Sequence, residues 1–381
     1  MKTKQFTAVL AALLFGATTA QAEIPLTEFG GFKVGLEGLL QADGNWFHND
    51  RADLNGGGSG DGDDSEFGVR RSEVVLKAKG DKFDWVVGYD FEGEKFIDAN
   101  LKWKADFAAV TVGQYKQPMG LEELSSSKYN DFISKSVATN LFAPSRRLAV
   151  GVSRDFADWG YQLSAFSREL TRDRAHGRGY AGRAYWRPMV TDQGYLHLGV
   201  SAVTRDTDGD IERLRARPGA DFATVRLIDS GTLANTDALS GYGLEGLWVQ
   251  GPWKLQAEYL TGSVDRYSSP GVSGADYDAS SWYVSGMWNL TGESWGYKAG
   301  TPSQSTNDDA AGLWQIGLRY DAADLDDGAV RGGDAEHLTF GVNWYWRSNF
   351  RVSLNYVDVQ SERRGISDDP AITEARVQLY W

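Results

Sequence analysis

The chain has 381 residues, with no cysteine, 45 glycines, 13% aromatic residues and a formal charge of -13 at pH 7. The absence of cysteine excludes a disulfide scaffold, a thiolate metal site and a cysteine nucleophile. The acidic balance argues against nucleic-acid binding, because proteins that bind phosphate backbones need clustered lysine and arginine. Any anion that this protein handles must therefore meet a locally positive site.

Residues 1–22 have the pattern of a secretory signal peptide. Two lysines form the positive start, Phe6 to Phe15 the apolar middle, and Ala20 to Ala22 a small-residue cleavage site. Cleavage there would make Glu23 the first residue and change the formal charge from -13 to -15, since the segment holds two lysines and no acidic residue. After it, no run approaches the ~20 apolar residues of a transmembrane helix. A membrane location would therefore require a β-barrel.

After the signal, the sequence alternates with a period of two. Phe32, Val34 and Leu36 share one parity, whereas Lys33 and Glu37 share the other. Because successive side chains of a strand point to opposite faces, such a strand has one apolar face and one polar, charged face. About sixteen such segments follow one another to the end of the chain, which suits the ~10-residue strands of a membrane barrel. The pattern predicts strands that separate hydrocarbon from water.

Short turns alternate with longer polar connections. The long connections fall at residues 48–66, 117–145, 206–239, 264–278, 299–311 and 321–335. Short turns at one end and long loops at the other are typical of outer-membrane barrels. The sequence therefore predicts an all-β transmembrane antiparallel barrel of about sixteen strands, formed by residues 23–381 as one domain in the outer membrane of a Gram-negative bacterium. The alternative is a soluble β-sandwich, in which the polar parity would face bulk water.

Aromatic residues lie in pairs near the ends of these segments. Such residues form girdles at the lipid headgroup boundary of membrane barrels. The predicted girdle residues are Trp46, Phe47, Trp159, Tyr161, Trp282, Tyr283, Trp344 and Trp346.

A row of arginines lies in one of the long loops. Arg213, Arg215 and Arg217 are spaced by two, so in an extended backbone they project from one face ~7 Å apart. Guanidinium groups offer planar forks to oxyanions, and this spacing would let an anion pass from one to the next. Alternatively, the acidic residues between Asp206 and Glu212 neutralise the row as surface salt bridges, or the row binds lipopolysaccharide phosphates. The residues alone leave these interpretations open.

Other basic residues have the parity of the polar face. Arg183 and Arg187 share one parity, so we expect both side chains to face the lumen. Arg70 and Arg71 are adjacent, so both can face the lumen only if one lies in a bulge, near a strand end or against another subunit. Lys77 follows them as a further candidate.

No catalytic residue, metal ligand or cofactor site is predicted. The four histidines are scattered, with no Ser-His-Asp order and no pair at metal-ligand spacing. The acidic segments 61–64 and 206–210 could suggest calcium binding, but their glycines are misplaced for an EF-hand and the closing glutamate is missing. Solvated loops explain them better, with divalent ions bridging lipopolysaccharide as the alternative.

Residues 113–129, with the sequence GQYKQPMGLEELSSSKY, resemble the constriction-loop region of the phosphate-selective porins O and P. The likeness continues at residues 146–151, 215–218, 229–232, 251–259 and 290–293. It implies a trimeric, sixteen-stranded outer-membrane channel whose third external loop folds inward to narrow the pore. It also implies an arginine ladder that descends to a central anion site.

The resemblance extends to individual residues. It implies that Arg213, Arg215 and Arg217 form the ladder and that Arg70 and Arg71 are paired arginines of the wall. The residues implied to bind phosphate on the inward loop are Ser125, Ser126, Ser127 and Lys128, with Lys135 and Lys116 as further basic positions. Asp98 resembles an acidic residue near that site, where a carboxylate could accept a proton-bearing phosphate oxygen.

We therefore expect passive, anion-selective uptake of inorganic phosphate or polyphosphate through a pore lined by arginine and lysine. The expected surroundings are outer-membrane lipid and lipopolysaccharide, and the expected assembly is a homotrimer. The principal alternative is a porin of different or broad selectivity, for organic acids, sulfate or small solutes in general.

Overall fold

The structure, a computed structural model, describes residues 23–56, 64–171, 177–271, 274–304, 311–347 and 349–381. The predicted signal peptide lies outside these residues. Two short helices, α1 (Leu121–Leu124) and α2 (Val137–Phe142), lie in one connection. No helix in the described part of the chain has the length and apolar character to cross a membrane.

The strands, in chain order, are β1 (Ile24–Phe29), β2 (Phe32–His48), β3 (Ser65–Lys79), β4 (Phe83–Asp90), β5 (Lys95–Lys104), β6 (Ala109–Lys116), β7 (Arg146–Asp155), β8 (Trp159–Phe166), β9 (Gly179–Thr191), β10 (Gly194–Asp206), β11 (Ile211–Glu212), β12 (Arg215–Ala216), β13 (Ile228–Asp229), β14 (Leu233–Ala234), β15 (Thr236–Gln250), β16 (Trp253–Arg266), β17 (Tyr277–Asn289), β18 (Gly296–Lys298), β19 (Thr301–Ser303), β20 (Leu313–Asp327), β21 (Val330–Trp346), β22 (Phe350–Arg363), β23 (Ile366–Ser367) and β24 (Ala371–Tyr380).

Sixteen of these strands form a closed antiparallel barrel, as the sequence predicts. They are β2–β10, β15–β17, β20–β22 and β24. The last strand closes on the first, from Leu39 opposite Tyr380 to His48 opposite Ala371. Closure leaves no unpaired sheet edge, which is the requirement for strands that cross hydrocarbon.

Burial along the strands follows the predicted alternation. In β21, the outward Leu338 and Phe340 are 44% and 48% exposed, whereas the inward His337, Thr339 and Asn343 are buried. The inward parity is polar throughout most of the barrel, so the wall has an apolar outside and a hydrogen-bonding inside. This distribution is the inverse of a soluble core and matches a barrel in lipid.

The predicted aromatic girdle is present in part. The predicted Trp46 is outward, with its ring centroid 5.1 Å from that of Phe67 on the neighbouring strand. Two of the predicted girdle residues are wrong, because Phe47 and Tyr283 are buried inside the barrel. Each is adjacent to an outward tryptophan, and neighbours in a strand cannot share a face.

Connections at the two ends differ as predicted, with two exceptions. Most connections at one end, here the turn end, have two to four residues, whereas the long loops lie at the opposite loop end. Residues 321–335 were predicted to be a loop, but they continue β20 and β21 around a two-residue turn. Their inward Ala323, Leu325 and Ala335 pack against an inward-folded loop, so the strands extend beyond the point where their aspartates suggest an end.

Residues 305–310 of the predicted loop 299–311 lie outside the described residues. The described part of this connection, between β17 and β20, is at the turn end and not at the loop end, because β17 runs to that end. It contains the lower hairpin, β18 and β19, which folds into the barrel. Tyr195 donates a hydrogen bond from its hydroxyl to the Gly296 carbonyl, at 2.9 Å. Trp295 is also buried. A polar connection can thus lie inside the barrel, where the inward wall provides hydrogen-bond partners.

Two loop-end connections also fold inward. The constriction loop, residues 117–145, carries both helices and buries Met119 and Phe142. The arginine loop, residues 207–235, buries Leu214 and Ile228 in the same apolar cluster. The inward constriction loop confirms the prediction, whereas the inward course of the arginine loop was not predicted from the residues.

Candidate functional site

The constriction loop is anchored to the wall through the start of its first helix. The Glu258 carboxylate, buried on β16, accepts hydrogen bonds from the backbone N–H groups of Leu121 and Glu122, at 2.6 and 2.7 Å. It also accepts one from the Tyr283 hydroxyl at 2.6 Å. The first N–H groups of a helix have no partner within the helix, so a carboxylate there satisfies them and complements the positive end.

A second anchor holds the other helix of the loop. The Asp321 carboxylate on β20 accepts a hydrogen bond from the Val137 N–H, at 3.1 Å. Arg319 donates from Nε to Asp321 at 2.7 Å and from Nη1 to the Ser134 carbonyl at 3.0 Å. A third anchor is the ion pair of Lys254 with Asp131, 2.5 Å between Nζ and Oδ1. Many inward charges of the wall therefore fix the loop.

The arginine row lies along one face of the arginine loop, as the spacing predicts. Arg213, Arg215 and Arg217 are exposed, whereas the intervening Leu214 and Ala216 are buried against the wall. The apolar alternate residues thus attach the segment to the barrel, while the guanidinium groups project from the opposite, exposed face.

The three arginines of the row differ in their partners. Arg213 forms a bidentate ion pair with Asp229, with Nε 2.7 Å from Oδ1. Of the acidic residues just before the row, which the sequence offered as its neutralising partners, Glu212 pairs with Arg205 at 2.6 Å and Asp210 accepts a hydrogen bond from the Tyr267 hydroxyl at 2.8 Å. Within the described residues, Arg215 and Arg217 have no carboxylate at ion-pair distance.

A third arginine joins Arg215 and Arg217 around a cavity of about 160 Å³ between the two inward loops. Arg226 lines it from the arginine loop, and Ser134 and Asn140 line it from the constriction loop. Burial, followed by the positive charges of Arg217 and Arg215, lowers the pKa of Arg226 to about 10. Arg226 is therefore still charged at neutral pH, and the three neighbouring guanidiniums repel one another, which an anion between them would relieve.

The paired arginines of the wall both face the interior because β3 has a bulge. Gln41 lies opposite Arg71 and Ala42 opposite Val69, so Arg70 is the extra residue of the bulge. This geometry is one of the three alternatives that the sequence left open. Both guanidiniums are ion-paired: Arg70 Nε lies 2.6 Å from Asp221 of the arginine loop, and Arg71 Nη1 lies 3.1 Å from Glu73.

The basic residues at the base of the constriction loop are also engaged. Lys116 donates to the backbone carbonyls of Glu123 and Ser125, at 2.5 and 2.8 Å. Lys135 pairs with the Glu123 carboxylate. Asp98, which the resemblance assigns to phosphate recognition, accepts two hydrogen bonds from Arg146, at 3.2 and 3.1 Å. A solute would have to compete with these contacts.

The serines of the constriction loop have mixed surroundings. Ser125 donates from Oγ to the Leu121 carbonyl at 2.8 Å, as a local helix cap. Ser126 is exposed and Ser127 half-buried. Lys128 and Lys77 both pair with Glu37, at 3.2 and 2.6 Å.

Arg183 is inside the barrel but does not line an open passage, so its predicted pore-lining position is wrong in this respect. Its side chain is 0% exposed, because Nε pairs with Glu245 at 2.6 Å and Nη2 donates to the Gly300 carbonyl of the lower hairpin at 2.6 Å. Arg187 lies near the turn end, with its guanidinium 4.6 Å from the centre of the Tyr297 ring. The hairpin that covers Arg183 carried no inward signal in the sequence.

Several basic residues of the interior were not predicted from the sequence, among them Arg226, Arg146 and Arg376. Arg376 has the inward parity of the last strand and pairs with Asp43, at 2.7 and 2.6 Å. Parity could have identified Arg376. Arg226 lies in an irregular segment, where no periodicity shows which way a side chain points.

Comparisons with known proteins agree with this geometry. The family described as phosphate-selective porin O and P matches residues 40–381. Porin O of Pseudomonas aeruginosa is 27% identical over 401 aligned residues, covering 91% of this chain and 89% of that protein. A protein of Caulobacter vibrioides is 28% identical over 318 residues, which are 76% of this chain and 62% of that protein's length.

Solved barrel structures are similar at low sequence identity. OmpT of Vibrio cholerae superposes with a TM-score of 0.61 and 12% identity, over 94% of this chain and 99% of that chain. An anion-selective porin from Comamonas acidovorans has a TM-score of 0.55 and 10% identity, over 92% of this chain and 100% of that chain. These likenesses show a shared barrel fold.

Replacing the wall anchor should loosen the constriction loop without unfolding the barrel. Glu258→Ala leaves two helix N–H groups and a hydroxyl without their acceptor, at about 1–3 kcal/mol each. We expect a folded barrel whose single-channel current fluctuates more than that of the wild type. The exposed Glu362→Ala serves as the control and should give a steady current. A steady current with unchanged conductance in Glu258→Ala would show that the other anchors suffice.

Proposed function

The chain belongs to the phosphate-selective porin O and P family and is an outer-membrane porin channel, and we propose that it conducts small oxyanions passively, with phosphate or polyphosphate as solute. The loop end is then extracellular and the turn end periplasmic. Transport by such a channel needs no catalytic group or cofactor.

The observation that carries the proposal is the cavity of Arg215, Arg217 and Arg226. Three guanidiniums without a carboxylate ion pair among the described residues surround it, and Arg217 and Arg226 donate only to backbone carbonyls of their own loop. The predicted basic residues that are ion-paired with carboxylates are Arg70, Arg71, Lys77, Lys128, Lys135, Arg183 and Arg213. Confined between two loops, the charge of the three cavity guanidiniums is screened less than it would be in bulk water. The cavity is therefore a local positive site inside an acidic protein.

The chemistry of the cavity suits an oxyanion. Guanidinium groups donate paired hydrogen bonds to carboxylate or phosphate oxygens, and the nearby Asn140 amide, which uses one N–H for the Lys135 carbonyl, can donate its other one. Conduction also requires that the anion leave, and Arg213, whose charge Asp229 neutralises, adds little to the positive charge of the cavity. Sulfate and organic acids share this chemistry, so they are the alternative solutes.

The assembly is proposed to be a homotrimer in outer-membrane lipid and lipopolysaccharide. OmpT of Vibrio cholerae, a structural neighbour with a TM-score of 0.59 in this comparison, is described in a trimer form. The strands from β4 to β8 have ten residues or fewer, whereas several others have fourteen or more. A wall of short strands suits contact with a neighbouring subunit better than contact with the full thickness of the lipid bilayer.

The proposed selectivity can be tested in planar bilayers with purified full-length protein. We expect anion selectivity in potassium chloride and a chloride current that added phosphate inhibits, because phosphate occupies the arginine cavity longer than chloride does. Sulfate and succinate should be compared with phosphate to rank the solutes. Cation selectivity, or a chloride current indifferent to phosphate, would reject the proposal.

Two arginines of one row provide a matched test of the cavity. Arg215→Gln removes an unpaired guanidinium, and we expect the phosphate concentration that halves the chloride current to rise about tenfold, since a hydrogen bond to a charged group is worth about 1.5–3 kcal/mol. Arg213→Gln removes one paired with Asp229 and should change that concentration less than about twofold. Equal effects of the two substitutions would contradict the proposal that the charge of Arg215, and not that of Arg213, is available to the anion.

A further inference from the structure

The Asp221 carboxylate lies between two groups of arginines. It lines the cavity that Arg215, Arg217 and Arg226 surround. It also accepts a hydrogen bond from Arg70 Nε on the wall, at 2.6 Å. Neither side chain is fully buried, with exposed fractions of 28% for Arg70 and 24% for Asp221. A small anion in the cavity can therefore reach this ion pair.

The charges around Asp221 keep it ionised. Burial alone would raise its pKa, but the guanidiniums of Arg70, Arg376 and Arg71 hold the pKa well below its usual range. The carboxylate is thus a fixed negative charge where the cavity arginines meet the wall arginines. It presents to Arg70 the same kind of oxygen that a phosphate or another oxyanion would present.

We propose that Asp221 is a built-in counter-ion, which a permeating oxyanion displaces from Arg70 and which, by returning, helps to expel that anion. The inference rests on the proposed function of the cavity. An anion that leaves Arg215 and Arg217 can bind Arg70 only if the ion pair between Arg70 and Asp221 breaks. Asp221 therefore weakens anion binding and speeds release, which a conducting site requires.

Attachment of the arginine loop does not depend on Asp221. Beside it, Ala220 and Ala223 are buried in an apolar cluster with Leu54 and wall residues. The backbone N–H groups of Thr224 and Val225 donate to the Leu54 carbonyl, at 2.7 and 3.3 Å. The tip of the loop is thus held by packing and backbone hydrogen bonds, so removing the charge of Asp221 should leave its position unchanged.

Two substitutions that break the same ion pair distinguish a counter-ion from a tether. With inorganic phosphate as the probe in bilayers, Asp221→Asn should lower the phosphate concentration that halves the chloride current, by about tenfold. It should also lower the saturating phosphate current, because release slows. Arg70→Gln should raise the half-inhibiting concentration, since a site is lost and the carboxylate remains. A tether would make both variants change in the same direction.

The control is Asp210→Asn, which makes the same change of net charge in the same loop. Asp210 accepts a hydrogen bond from the Tyr267 hydroxyl at 2.8 Å and does not line the cavity. We expect it to change phosphate inhibition less than about twofold. An Asp221→Asn effect no larger than this, or effects of the same sign in Asp221→Asn and Arg70→Gln, would overturn the inference alone. A wild-type channel that phosphate does not inhibit would reject the proposed function itself.

Discussion

The interior of this barrel is governed by the need of every enclosed charge for a partner. Closing the sheet turns one parity of each strand inward, away from lipid and largely away from bulk water. Charges held there are stabilised mainly by opposite charges, such as Arg376 with Asp43 and Arg319 with Asp321. Removing one member of such a buried pair typically costs about 3–5 kcal/mol, because it leaves the other uncompensated. An interior charge without such a partner therefore marks a place where a solute of opposite charge could supply the missing partner.

The same constraint explains how the constriction loop and the lower hairpin can fold into the barrel. Each brings backbone groups that require partners, and the wall supplies them: Glu258 and Asp321 at the two helix starts, and Tyr195 at the lower hairpin. Much of the inward charge thus supports the loops that narrow the passage. Positive charge without a carboxylate ion pair among the described residues remains between the constriction loop and the arginine loop, which reconciles the acidic composition with the proposed anion channel.

Much of the fold follows from the sequence because one physical contrast, hydrocarbon outside and polar groups inside, is repeated along each strand. The same alternation correctly predicted that Arg213, Arg215 and Arg217 share one face of their segment. The prediction of a loop at residues 321–335 was wrong, because Ala323 and Leu325 pack on an inward loop whose position no local pattern reveals. Periodicity predicts which face of a strand a side chain lies on. The burial of Arg183 under the lower hairpin and the position of Arg226 in the cavity depend instead on segments that are distant in sequence.

Partners across the interior were equally beyond the reach of local patterns. Arg70 and Asp221 are 151 positions apart, and Arg376 and Asp43 are 333 apart. Their pairing results from closure of the barrel and from the course of the inward loops. The sequence could therefore identify which residue types would serve an anion pathway, but only the fold separates the neutralised arginines from those whose charge is available.

The most direct measurement is the location of a bound oxyanion in crystals grown with arsenate, whose anomalous scattering distinguishes it from water. The account predicts an arsenic peak among Arg215, Arg217 and Arg226, within hydrogen-bond distance of at least two guanidiniums. Arsenate found only at other positions of the pore, with this cavity empty at saturating concentration, would contradict it.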